Sequence, residues 1–114
     1  MSTGGMRMKV ELPAQMPLLP AAVELAAYRI AQEALTNVMR HARARSCRLR
    51  LTVSEVLKLE VIDNGIGLAG AGPPGVGMRS IRERAAELGG TSSIGPGRSH
   101  GTRVFVQLPL AARA

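Results

Sequence analysis

Hydrophobic and polar residues alternate in four short stretches of this chain and recur with a helical period in two others. Met8, Val10 and Leu12 alternate with Lys9 and Glu11, which predicts a strand. Pro13 to Leu19 carries Pro13 and Pro17 and reads as a loop. Pro20 suits the first turn of a helix, where its missing N–H costs nothing. That helix is predicted from about Pro20 to His41, with Val23, Ala27, Ile30, Ala34, Leu35 and Val38 as its apolar stripe. Cys47, Leu49, Leu51 and Val53 alternate with Arg48, Arg50 and Thr52, a half-buried strand. Ser54-Glu55 makes a tight turn into a second strand, on which Leu57, Leu59, Val61 and Asp63 share one face.

Residues 64–77 are rich in Gly, Ala and Pro and read as a loop. A second helix is expected from about Met78 to Leu88, closed by Gly89-Gly90. Thr91 to Ile94 reads as a short strand and Gly95 to Gly101 as a turn. In the last strand, Thr102, Val104, Val106 and Leu108 face one way and Arg103, Phe105 and Gln107 the other. Strands with one apolar face need a covering layer, and two helices can supply it. The expectation is an α+β two-layer sandwich with a ligand side between the helices. Residues 1–7 read as a disordered tail or cloning remnant, 8–110 as the domain and 111–114 as a second tail.

Asp63 is the odd position in this pattern. It continues an apolar strand face, where a lone carboxylate is expensive without a hydrogen-bonding partner. Gly65 and Gly67 follow at once in Asp63-Asn64-Gly65-Ile66-Gly67-Leu68. Glycines there let the backbone turn and a ligand approach closely. A bound polar ligand is one partner that would satisfy Asp63.

Composition narrows the classes. The 114 residues suit one domain, and a chain 46% hydrophobic packs a core. With one Tyr, one Phe and no Trp that core must be aliphatic, with methionines filling gaps. The single Cys47 excludes an internal disulfide and a cysteine-based metal site, and reads as a small buried hydrophobe in a reducing, cytoplasmic setting. No apolar run is long enough to span a bilayer, and no secretory signal opens the chain. The net charge of +7 raises nucleic acid as a partner. The arginines are spread over helices and strand faces, and aromatic stacking platforms are absent, which speaks against that role.

In the long helix Glu33, Asn37 and His41 are spaced i, i+4, i+8 and stack on one stripe beside Arg40. One reading is a solvated face with Arg40 and Arg43 as ion-pair partners. The other takes the set together. A carboxylate and an amide oxygen are hard donors of the kind Mg²⁺ accepts beside phosphate oxygens. Arg40 would neutralise phosphate charge. The glycine-rich loop and the start of the second helix offer N–H groups to the same phosphates. Asp63 would accept from an adenine amino group, supported by Thr102 directly or through water.

YRIAQEALTNVMRHA (Tyr28 to Ala42) resembles the N box of sensor histidine kinases of the nitrate/nitrite-sensor type. VIDNGIGL (Val61 to Leu68) resembles their G1 box, and GVGMRSIRERAAELGG (Gly75 to Gly90) their G2 box and the helix after the ATP lid. GTRVFVQLPL (Gly101 to Leu110) resembles the closing strand. The four boxes come in order, and the resemblance covers about residues 8 to 110. The resemblance implies the GHKL ATP-binding fold shared with gyrase, heat-shock and mismatch-repair ATPases, with a mixed, mostly antiparallel sheet covered on one face by helices. It implies ATP and Mg²⁺ as ligands, with Asn37 on the metal and Glu33 binding the metal's water shell or acting as a base. Arg40 and His41 would line the phosphates and the nucleotide's edge. Asp63 would read adenine, backed by Thr102, and Gly65 and Gly67 would shape the adenine site. Gly75, Val76, Gly77 and Met78 would lie against the phosphates at the end of the lid.

The implied activity is transfer of the ATP γ-phosphate to a histidine on a separate dimerisation domain, for relay to a response-regulator aspartate. About twenty residues precede the long helix, too few for two dimerisation helices. His41 belongs to the N box and His100 lies in a turn, so neither is a credible phosphoacceptor. The expectation is a monomeric chain that binds ATP without phosphorylating itself. The short lid with Pro73-Pro74 is expected to order on ATP and Mg²⁺. Arg79, Arg82 and Arg84 with Glu83 and Glu87 form a solvated face that would also suit docking of the dimerisation helices. Two other readings share these residues: an anti-sigma-factor-type serine kinase of the same fold, and a basic binding module that has lost ATP chemistry.

Overall fold

The structure, a computed structural model, describes residues 2–3, 6–66, 76–97 and 100–110, the side chains of 2, 3, 41, 42, 76 and 77 excepted. Gly67, Gly75, the Pro73-Pro74 lid and the tail at 111–114 lie outside the described residues. In chain order come β1 (Ser2–Thr3), β2 (Met6–Glu11), α1 (Ala21–Asn37), a π-helical turn (Val38–Ala42), β3 (Ser46–Val53) and β4 (Val56–Asp63). Then follow α2 (Val76–Glu87), β5 (Thr91–Pro96) and β6 (Thr102–Pro109). The strands form one six-stranded sheet in the order β1-β2-β3-β4-β6-β5. Among the described residues only β2 and β3 pair in parallel; the crossover that a parallel pair requires is α1.

The alternation in the chain becomes a two-faced sheet. Leu57, Leu59 and Val61 of β4 and Val104, Val106 and Leu108 of β6 are buried on the helical side. The register pairs them directly, Leu57 with Leu108, Leu59 with Val106 and Val61 with Val104. Against them α1 lays Val23, Ala26, Ile30 and Ala34, and α2 lays Ile81 and Ala85. Ala26 is buried in place of Ala27, which is only partly buried. The alanines bring the helix axes close to the sheet, which suits a core without large rings.

On the sheet face turned from the helices, charges pair across strands. Glu60 accepts from Arg103 Nε at 2.6 Å and lies 3.7 Å from Arg48. The Arg103 guanidinium rests 4.7 Å from the centre of the Phe105 ring. Glu11 accepts from Arg50 Nε at 2.7 Å, and this bond holds its carboxyl below the usual range.

Several boundaries differ from the sequence expectation. Met6 and Arg7, expected in the tail, belong to β2, and Met6 is buried in the core. Met6 and Arg7 continue the alternation of Met8 and Lys9, and the pairing of Met6 with Thr3 and of Arg7 with Ser46 extends the strand over them. β5 runs on to Pro96, carried by its pairing with β6. The close of α2 follows its glycines: Gly90 N–H bonds to Ala85 O at 2.9 Å and Gly89 N–H to Ala86 O at 3.0 Å. That is a Schellman arrangement with Gly89 at φ 74°. A Cβ on Gly90 would lie 2.2 Å from Gln107 O, so the turn seats directly on β6.

Candidate functional site

The long helix does not run as one α-helix to His41. It is α-helical through Asn37 and then takes a π turn over Val38–Ala42, ending at Arg43 in the left-handed region at φ 49°. Within α1, Glu33 and Asn37 keep the i, i+4 spacing that places them on one stripe. From Val38 the chain widens to an i→i+5 turn, and the expected stacking of His41 above Asn37 falls on a side chain outside the described ones. His41 is described by its backbone alone; Arg40 is exposed and Glu33 is partly exposed. The Asn37 Nδ2 is buried and has no hydrogen-bond partner among the described residues. A buried amide left unpaired costs about 1–3 kcal/mol, so a ligand is the natural partner for it.

Asp63 ends β4 on the buried face, and only 4% of it is exposed. Its Oδ1 accepts the Gly65 N–H at 2.8 Å, a turn made by an Asp side chain over the backbone two residues on. Gly65 is buried too. Thr102, which begins β6, is the other buried polar residue at this end of the sheet. The Ile62–Arg103 pair places Thr102 one step beyond on the same face as Asp63. The backbone thus brings together Asp63, Gly65 and Thr102. Met78 lies on α2, partly buried against the core, and Val76 and Gly77 are described by backbone alone.

Two residues that sequence reasoning did not single out hold this corner. Asn64 Oδ1 accepts two N–H groups, from Arg45 at 2.8 Å and Ser46 at 2.9 Å. Its own N–H donates to Ser46 O at 3.2 Å. The site's aspartate is therefore followed by a residue that grips the link between the π turn and β3. Gly101, at φ 88°, has no room for a side chain: a Cβ would lie 2.0 Å from Asp63 O and 2.8 Å from Asn64 Cα. An Asn directly after a strand-ending Asp was the available signal for the first. The second depends on a contact between residues 38 positions apart, which no local pattern carries.

Cys47 lies on the helical face opposite Asp63 in the β3–β4 register and is buried. Burial, and then the Asp63 carboxylate, push its thiol up to about 11. It is a protonated, unreactive part of the site's floor, as expected of a small buried hydrophobe.

The chain is similar to known proteins in both sequence and fold. The Sensor histidine kinase LiaS of Bacillus subtilis is 35% identical over 104 residues, covering 89% of this chain and 29% of that protein. The chain therefore spans less than a third of the length of that curated relative. The histidine kinase domain of the Erythrobacter litoralis EL346 blue-light activated histidine kinase superposes with a TM-score of 0.80 at 24% identity. The match covers 95% of this chain and 53% of that one. Full-length ShkA, solved in complex with AMPPNP, superposes at 0.74 with 19% identity over 96% of this chain and 27% of its own. These two likenesses establish the fold. The model of the family described as histidine kinase-, DNA gyrase B-, and HSP90-like ATPase matches residues 22–112. With that family match over most of its length, the chain belongs to the histidine kinase-, DNA gyrase B- and HSP90-like ATPase family.

Proposed function

We propose that this chain is the catalytic ATP-binding domain of a sensor histidine kinase, and that Asp63 reads adenine while Asn37 serves Mg²⁺ and phosphate. The observation that carries this is the buried Asp63 carboxylate at the end of an otherwise apolar strand face. Its Oδ1 is engaged by Gly65 N–H, a bond that fixes the carboxylate's orientation. An oriented carboxylate suits the exocyclic amino group of adenine and repels the carbonyl that guanine carries at the equivalent position. Thr102 supports it from the neighbouring strand.

The residues present fit Mg²⁺. An amide turns end for end by a half rotation, so the unpaired terminus of Asn37 can present either Oδ1 to a cation or Nδ2 to a phosphate oxygen. Glu33, one turn before it, adds a carboxylate on the same stripe for the ion's water shell or for a proton. Mg²⁺ is bound in this manner by few protein oxygens together with phosphates. When bound it neutralises charge on the transferring phosphoryl group. Arg40, His41 and the backbone of Gly75, Val76, Gly77 and Met78 are assigned to hold and orient the phosphates. Phosphoryl transfer depends chiefly on such positioning and charge neutralisation.

The phosphoryl acceptor is proposed to be a histidine on a dimerisation domain of the parent kinase, with a response regulator downstream. The names of the relatives support the histidine-kinase reading, and the AMPPNP bound by ShkA supports the nucleotide. No helix of the described residues is long and apolar enough to cross a membrane, and the domain is proposed to work on the cytoplasmic side as a monomer unless its parent pairs it.

Isothermal titration of the purified chain with AMPPNP, with and without Mg²⁺ and beside a GTP analogue, tests the reading. Saturable, Mg²⁺-dependent binding that prefers adenine is expected. Equal binding of the guanine analogue, or none of either, would remove Asp63 from its assigned role.

A further inference from the structure

The adenine and phosphate ends of the proposed site stand on different elements. Asp63 is on the sheet, while Asn37 and Arg40 are on α1 and its π turn. The covalent path from the π turn to the sheet is the short link Arg43-Ala44-Arg45, which begins with a left-handed residue. Packing of α1 on the sheet sets the distance between the layers. It does not by itself set where the C-terminal end of the helix lies along the strands.

We infer that Asn64 is a positioning residue that sets the spacing between the adenine end and the phosphate end of the nucleotide site. This rests on the nucleotide reading above. Asn64 is the residue after Asp63, so its backbone moves with the adenine contact. Its Oδ1 closes a fork on two successive N–H groups, Arg45 at 2.8 Å and Ser46 at 2.9 Å, where the link passes into β3. Its own N–H on Ser46 O at 3.2 Å makes a third bond to the same place. On the opposite side Gly101 packs against the Asp63–Asn64 peptide so closely that a Cβ would lie 2.0 Å from Asp63 O. The strand end is therefore held from both flanks, by β6 through Gly101 and by the helix link through Asn64.

A fork of this kind resists both translation and rotation, because one oxygen must satisfy two donors at once. Without Oδ1 the Arg45 and Ser46 N–H groups lose their acceptor, and the link is held to the strand end only by backbone bonds, which include Asn64 N–H to Ser46 O and Arg7 N–H to Arg45 O. A ligand that touches only one end of the site is indifferent to a shift of the link against Asp63. A ligand that spans both ends is not, since small misplacements of bound groups are costly.

That difference supplies the test. Adenosine reports on the adenine end alone, and AMPPNP with Mg²⁺ reports on both. The wild-type chain, Asn64→Ala and Asn64→Asp are titrated with each ligand by amide NMR, with circular dichroism to verify folding. Asn64→Ala is expected to keep adenosine affinity within about twofold and to lose about tenfold for Mg²⁺-AMPPNP. Asn64→Asp, which retains an acceptor oxygen at the same reach, is expected to restore the spanning ligand. An equal loss for both ligands, no loss, or failure of Asn64→Asp to restore binding would overturn the inference. If Asn64→Ala does not fold, Asn64→Gln replaces it, because one added methylene displaces the acceptor. Equal behaviour of the Gln and Asp variants would then overturn the inference. A wild-type chain that binds neither ligand would instead overturn the nucleotide reading itself.

Discussion

Cys47 and Asp63 face each other across the β3–β4 ladder, a thiol and a carboxylate both buried at the end of the sheet where the nucleotide is proposed to bind. The pair has a consequence for pH. Burial first, and the neighbouring carboxylate second, raise the Cys47 thiol from an ordinary value of 9.0 to about 11. The folded state therefore holds its proton more tightly than the unfolded chain does. Below pH 9 both states are protonated and the contribution is fully present. Between pH 9 and about 11 the unfolded chain ionises and the folded one does not, so stability falls as pH rises. Urea unfolding of the wild type and Cys47→Val across pH 8 to 11 checks this: the wild type should lose stability relative to the variant as pH rises. Parallel curves would contradict it.

Asp63→Asn should lower affinity for Mg²⁺-AMPPNP by about 10- to 100-fold, the range of one charge-assisted hydrogen bond. The amide oxygen of the variant can still accept from Gly65 N–H, so the thermal midpoint should move little. Calorimetric titration beside a melting curve separates the two effects.

Asn37→Ala should do the opposite to stability. It removes a buried amide terminus that has no partner among the described residues and places a better helix former in α1. A gain of about 1 kcal/mol in the free chain is expected. The same change should abolish the increase in AMPPNP affinity on adding Mg²⁺. A variant that is both less stable and still responsive to Mg²⁺ would place the metal elsewhere.

Gly101→Ala should cost more than about 2 kcal/mol, by overlap with the Asp63 carbonyl and by forcing a side chain to φ 88°. Arg43→Gly should gain about 1 kcal/mol, since Arg43 sits in the left-handed region at no evident benefit to its side chain. Chemical denaturation of the two variants measures both signs in one experiment.

Much of this protein could be read from its residues in order. The parity of β4 and β6 follows from the two-residue repeat of a strand and needs no knowledge of what covers it. It placed Leu57, Leu59, Val61 and Asp63 on one face, and the structure buries all four. The glycines after α2 announced its end because few other residues accept a positive φ. The boxes from Tyr28 to Leu110 named the family because their order and spacing are contiguous in the chain. Tertiary structure alone decided the rest. β2 begins at Met6 because Thr3 of β1 pairs with Met6 and Ser46 of β3 pairs with Arg7. The π turn over Val38–Ala42 lies inside a segment whose local pattern reads as plain α-helix. The two braces of the site, Asn64 on Arg45 and Ser46 and Gly101 on Asp63, join residues 18, 19 and 38 positions apart. Periodicity reports which way a side chain points along its own element; which distant backbone meets it there is settled only when the elements pack.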